Sequence, residues 1–282
     1  MLADVDLSLA LFDQLREVVY VTDLERRIIF WNAAAERVTG YLRQDVTGRR
    51  CHEDLLMHCD AQGQCLCGSA CPLSSILVDG KPREMTAFLR HRHGHRVAVR
   101  LRARPIHANG AVAGVVELFE EAPAIVRDEM RELEALGCLD PGTGALTRAG
   151  GELRLRQQLL EIDTFGGAAG WLRIALRDPD QLSHRLGHAA PAAAMGLAAR
   201  TLRGALSASD SLSLWGDHEF RVLISRCDAE RLAESADLLR LMVRHSEFEW
   251  WGEPVRVDVR VSGTLATIGD SLATIERRLQ HE

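Results

Sequence analysis

The sequence predicts two domains of mixed secondary structure, an α+β domain over residues 1–122 and an α/β domain over 139–282, joined by a helical connector over 123–138. Three observations lead there. Residues 18–40 give two short β-type runs, a polar turn between them and a helix with both caps written in the sequence. Residues 121–136 alternate acidic and basic side chains around Val126, Met130, Leu133 and Leu136, which recur at helical spacing. Beyond them strands and helices alternate, and the run from Leu214 to Ile224 turns back on itself at Gly216-Asp217.

At 282 residues the chain has room for two such domains. Hydrophobic residues at 46% and charged residues at 26% fit a soluble globular protein. The net charge of -6 argues against a broad nucleic-acid surface. The start, Met1-Leu2-Ala3-Asp4, has no basic stretch, and no apolar run reaches the roughly 18 residues of a membrane span. The expectation is a cytoplasmic protein with neither membrane nor nucleic acid as partner. Five of seven cysteines lie between Cys51 and Cys71, and in a reducing compartment that clustering favours metal ligation or redox sensing over structural disulfides. Cys138 and Cys227 stand alone and read as buried or incidental thiols.

In chain order, Asp6–Leu15 reads as a short amphipathic helix, and Val18–Asp23 and Ile28–Asn32 as strands. Asn32 is placed to cap a helix over Ala33–Val38 that Gly40 closes. Glu84–Arg90 and Arg96–Arg104 form a hairpin around His93-Gly94-His95, and Val112–Phe119 follows a turn at Asn109-Gly110. The three histidines at the first tip alternate with arginines, which oppose a cation, so they read as a solvated turn. Two strands, short helices and three strands in this order resemble a PAS domain. The words that carry the resemblance are Tyr20-Val21-Thr22-Asp23, Trp31 to Tyr41, and Gly114-Val115-Val116-Glu117-Leu118-Phe119. PAS domains sense ligands or redox state, or dimerise.

The cysteine segment occupies the place where PAS domains build the helical wall of their ligand pocket. Thiolates and imidazoles a few residues apart close around a tetrahedral ion such as zinc. Similar Cys, His and Cys-x3-Cys positions recur in PAS domains that precede GGDEF domains, and this likeness implies Cys51, His58, Cys67 and Cys71 as ligands. Cys59 and Cys65 are the alternates. The spacing leaves zinc, an iron–sulfur cluster and dithiol switching open. Light-sensing PAS domains place a flavin-reactive cysteine at the position of Cys51, but Arg50, His52, Glu53 and Asp54 depart from their motif.

The second domain carries its own resemblance. Leu214-Trp215-Gly216-Asp217-His218-Glu219-Phe220 is similar to the signature hairpin of GGDEF domains, the nucleotidyl-cyclase-like diguanylate cyclases. Asp140-Pro141-Gly142-Thr143-Gly144 and Leu186-Gly187-His188 match further words of that family. Strands are expected at Gly170–Leu176, Asp210–Trp215, Phe220–Ser225 and Val255–Thr264, and a helix at about Ala192–Leu206, in a largely antiparallel sheet. The chain stops at Glu282, before the family's usual terminal helix is finished.

The chemistry of the family requires Mg²⁺ held by carboxylates against a triphosphate. Counted back without gaps, the family's first-strand aspartate falls on Ala175, its companion on Arg177, its lysine on Asp180 and its guanine-reading pair on Ser183 and His184. A one-residue shift brings Asp178 nearer. His218 replaces the hairpin acid, and Ser207 replaces the arginine of the inhibitory site that ends in Asp210. The resemblance therefore implies a homodimeric signalling protein whose second domain keeps its surface and has lost turnover. It binds an unidentified protein partner, GTP or cyclic di-GMP. The alternative is a divergent cyclase using Mg²⁺ with Asp178, Asp217 and Glu219.

Overall fold

The computed structural model describes residues 11–53, 55–68, 70–121 and 137–280. The chain divides into two compact units, Met1–Ala122 and Pro123–Glu282. The expected connector lies outside the described residues except for Gly137, in the left-handed region at φ 67°, and Cys138. Of the expected first helix, Asp6–Leu15, residues 11–15 are described: 11–13 are helical, and the helix ends in a turn at Gln14. No helix among the described residues is long and apolar enough to cross a membrane.

The first unit is a five-stranded antiparallel sheet in the order β2-β1-β5-β4-β3. Strands β1 (Val18–Thr22) and β2 (Ile28–Trp31) are rich in β-branched and aromatic residues. Helix α1 (Ala33–Thr39) starts at Asn32 and stops at Gly40, whose φ of 75° suits glycine. A short α2 (Arg43–Val46) follows, then α3 (Pro72–Asp79), β3 (Arg83–Arg90), β4 (Arg96–Ala108) and β5 (Ala111–Glu121). Asn109 and Gly110 both have positive φ, which makes their two-residue turn match the twist of its strands. At Gly114 a Cβ atom would come within 2.4 Å of the Thr22 carbonyl oxygen, so only glycine lets β1 lie against β5 there. The core side chains are headed by Trp31, Tyr20 and Phe119, with Tyr20 5.3 Å from Trp31 between ring centres.

Asn32 ties this unit together. Its Oδ1 accepts from the backbone N–H of Ala35 and Val19, and its Nδ2 donates to the carbonyls of Phe12 and Glu17. It is fully buried. Replacing Asn32 by Ala removes the cap and orphans four backbone groups, and a loss of about 2–3 kcal/mol in denaturant unfolding is expected. A loss under about 1 kcal/mol would show that water replaces the side chain.

The second unit opens with α4 (Arg148–Phe165), capped by Thr147. Its four-stranded sheet has the order β11-β6-β8-β7 and is antiparallel throughout. The strands are β6 (Ala169–Leu176), β7 (Ser211–Gly216), β8 (Glu219–Ile224) and β11 (Val259–Ala266). A parallel bridge joins Leu146 to Ser213. Between the strands run α5 (Pro179–Leu186), α6 (Ala190–Ala205) and α7 (Ala229–Arg244), and α8 (Leu272–Gln280) comes last. Period two divides β6 between the faces. Leu172, Ile174 and Leu176 join the core that includes α6 and α7, while Trp171 joins the core that includes α4 and α8.

Two expectations need correction. The strand expected over Val255–Thr264 is two strands: β10 (Glu253–Arg256) pairs with β9 (Glu247–Trp250) in a separate hairpin, and only β11 enters the sheet. Trp251 and Gly252, both at positive φ, make the turn that sets this hairpin apart. The cysteine segment is not a helical wall either. It runs as turns and isolated bridges, Cys59 with Cys65 and Cys59 with Phe88, until α3 begins at Pro72.

Candidate functional site

The hairpin forms, but its turn lies one residue on from the expected Gly216-Asp217: Asp217 and His218 make the tip, and Gly216 ends β7 across from Glu219. The His218 carbonyl accepts from Leu176 N–H, which fixes the tip to the end of β6. Across the sheet, Arg260, Ala175 and Glu219 stand in one register row, so Ala175 and Glu219 share a face. Glu219 is not available to a cation. One of its oxygens accepts from Arg173 at 2.6 Å and the other from Arg221. Arg221, almost wholly buried, also grips Glu276 of α8 through two bonds of 3.0 and 2.7 Å, and Trp171 Nε1 donates to the same carboxylate at 2.6 Å. The Arg221 guanidinium lies 5.2 Å over the Trp215 ring. A carboxylate clamped by two guanidiniums is a poor Mg²⁺ ligand, because the ion must displace charge-assisted bonds to reach it.

The other expected positions fare no better as a metal site. Arg173 and Arg177 flank Ala175 along the chain, and Arg177 pairs with Asp258 at 3.0 Å. Asp178 lies beyond the end of β6 at φ 49° and pairs with Arg260 at 3.7 Å. Asp180 and His184 are exposed, and Ser183 shares a hydrogen bond with His188. Asp210 is turned inward, accepting from Ser207 and from the Ser225 backbone.

The second cluster is in the first unit, where pairing of β1 with β5 sets Glu117 directly beside Tyr20 on the buried face. Glu117 is fully buried, and the Tyr20 hydroxyl beside it donates to its carboxyl, which opposes the upward push of burial. His58 Nε2, also buried but unsatisfied, stands 3.8 Å from Glu117 Oε1. Cys51 and Cys71 are buried in the same core. Burial, then Glu117, Cys71 and Cys67, push the Cys51 thiol far up. Burial and then Cys65 push the Cys67 thiol up to about 12, opposed by a hydrogen bond from the His58 backbone. Burial and then Arg96 hold His58 down to about 4, and burial raises Glu117 to about 8.

Cys51, His58, Cys67 and Cys71 therefore lie within electrostatic reach of one cluster. Of the alternates, Cys59 is turned to the Phe88 carbonyl and Cys65 is exposed beside Cys67. Among the described residues no group of three or more His, Cys, Asp or Glu side chains stands in the geometry that grips a metal ion. The histidine tip packs on itself, His91 stacking on His95 at 4.2 Å. Sequence reasoning missed Glu117 and Tyr20. The signal was there: in Val115, Glu117 and Phe119 the strand's inward period carries an acid between two apolar residues.

These shifts fix a pH dependence for the metal-free protein. Between its ordinary value of 4.5 and about 8, Glu117 keeps a proton in the folded chain that the unfolded chain releases, so stability falls as pH rises. His58 acts oppositely between about 4 and 6.5, where the unfolded chain holds the extra proton. The two offset where they overlap. With chelator present, unfolding by denaturant is expected to show stability falling from pH 6.5 towards 8, and Glu117→Gln should flatten that fall. An equal fall in the variant assigns it to other groups.

A family model described as the PAS fold matches residues 12–123. The C-terminal part resembles GGDEF domains of solved structure. One is the diguanylate cyclase SiaD of Pseudomonas aeruginosa, solved in complex with its activator SiaC. The two chains are 23% identical over 55% of this chain and 61% of that one, with a TM-score of 0.50. This chain thus covers less than two thirds of SiaD. Another is the coiled coil and GGDEF domain of DgcB from Caulobacter crescentus, solved in complex with c-di-GMP. It is 13% identical over 55% of this chain and 83% of that one, also at a TM-score of 0.50. No curated protein matches the chain. At these identities the likeness speaks for the fold, and the chemistry is left to the residues.

Proposed function

We propose that this chain, a PAS domain followed by a domain of the GGDEF fold, is a signalling protein whose second domain binds a partner and does not cyclise GTP. The observation that carries the reading is the state of Glu219, held between Arg173 and Arg221 in the row where Ala175 stands in place of an acid. Cyclisation needs metal ions against the triphosphate, and this face offers guanidiniums. The input is a metal ion or a thiol redox change at Cys51, His58, Cys67 and Cys71, with zinc or an iron–sulfur cluster as the metal group. The output is contact with a signalling protein, or with GTP or cyclic di-GMP, by a homodimer in the cytoplasm. Support for that output comes from two solved relatives, one in complex with an activator protein and one with c-di-GMP. The test is GTP turnover with Mg²⁺ or Mn²⁺. Cyclic di-GMP made in a way that depends on Glu219 contradicts the reading.

A further inference from the structure

We propose that Cys59 and Cys65 form a reversible disulfide, a redox site that exchanges with small soluble disulfides of the glutathione class. The inference goes beyond the cluster of Cys51, His58, Cys67 and Cys71 and needs no metal there. Its ground is a short local hairpin. Asp60 opens a turn in which the Gly63 N–H returns to the Asp60 carbonyl at 3.0 Å, and Gly63 takes a φ of 73°. The Asp60 carboxylate accepts from the backbone N–H of Gln62 and Gln64 at 2.9 and 2.8 Å, which locks the turn. The arms pair on both sides of the cysteines. Asp60 N–H donates to the Gln64 carbonyl at 3.1 Å, and Leu66 N–H donates to the His58 carbonyl at 2.8 Å. Cys59 and Cys65 thus stand directly opposite each other as a non-hydrogen-bonded antiparallel pair.

A disulfide fits that position. Such pairs hold their Cα atoms about 4.5 Å apart with both side chains on one face, and a disulfide spans about 4.4–6.8 Å. The two thiols differ in access: Cys65 is exposed, while Cys59 is 3% exposed. The buried Arg96 guanidinium stands within electrostatic reach of Cys59, Cys65 and Cys67, the electropositive setting in which reactive cysteines occur. Burial pushes the Cys59 thiol up, and Arg96 pulls it back. In the reduced chain Cys59 Sγ donates to the Phe88 carbonyl at 3.6 Å. That carbonyl also receives the Cys59 N–H at 3.0 Å, so it is not orphaned when the sulfur turns to Cys65. The chemistry is two exchanges. The Cys65 thiolate attacks one sulfur of the small disulfide, whose S–S bond breaks as one small thiolate leaves. Cys59, its proton passed to solvent, then attacks the Cys65 sulfur of the mixed disulfide, and the second small thiolate leaves. The chain gives up two electrons and two protons, and the small disulfide becomes two thiols.

The experiment uses the full chain, reduced, treated with chelator and then exposed to oxidised glutathione. After denaturation and alkylation it is expected to show two fewer free thiols than the seven of the reduced chain. Cleavage before Asp60 and after Leu66 puts Cys59, Cys65 and Cys67 on separate peptides. Mass spectrometry is expected to find Cys59 joined to Cys65, and a reducing agent to release the two peptides. Cys59→Ser is expected to stop at the mixed disulfide, with glutathione held on Cys65. The reading on the unmutated chain does not depend on how that variant folds. A disulfide between Cys65 and Cys67, or seven free thiols after exposure, overturns the proposal. A disulfide joining Cys51 to Cys71 while Cys59 and Cys65 stay reduced overturns it too, and leaves the cluster as the redox input.

Discussion

No cyclic di-GMP is expected when the full chain is incubated with GTP and either Mg²⁺ or Mn²⁺. Loss of one preorganised charge-stabilising group costs about 10²–10³ in turnover. Here several are missing at once. Ala175 supplies no ligand, His218 is a poor one for Mg²⁺, and Glu219 is held by Arg173 and Arg221. Arg260, in register with Ala175, adds positive charge where a cation has to sit. Restoring a single acid through His218→Asp is expected to leave the chain inactive, because Glu219 stays clamped. Product formed by the unmutated chain and abolished in Glu219→Gln would end this account and favour a displaced ligand set.

The second large effect concerns stability. Replacing Arg221 by Met is expected to cost the second unit about 3 kcal/mol in denaturant unfolding, since removing one partner from a buried ionic network leaves the others uncompensated. Arg221 is 5% exposed and bonds both Glu219 and Glu276, so the variant leaves two carboxylates facing each other without a cation between them. Arg173→Met is the control. Its side chain is 41% exposed, and pairs at that exposure contribute about 1 kcal/mol or less. Equal losses in the two variants would place the effect in Glu219 alone rather than in the link to α8.

What the sequence reveals and what it hides follows from the range of each interaction. Caps, turns and strand alternation act over a few residues, so Asn32, Gly40 and Asn109-Gly110 are legible in order, and the second hairpin is legible to within one residue of its turn at Asp217-His218. The break at Val257-Asp258 is not, because Glu253–Arg256 and Val259–Ala266 have the same alternating composition and only their different partners separate them. The cysteine cluster is visible from its spacing, while Glu117 joins it through a pairing nearly a hundred residues distant from Tyr20. Likewise His218 in the place of an acid is read directly from the hairpin motif, and Ala175 from a count back from Gly187-His188. The clamp on Glu219 needs Arg173, Arg221 and the distant Glu276 in space.

The pairing of β1 with β5 also imposes a timetable on synthesis. The strand carrying Tyr20 is among the first made, and its central partner, carrying Glu117, is the last strand of the unit to leave the ribosome. At about 5–20 residues per second, Cys51 and Cys71 wait several seconds in a nascent chain without the β5 strand whose core they join. During that interval the thiols are open to oxidants, metals and each other. Closure of β5 then withdraws the Cys51 and Cys71 thiols from solvent.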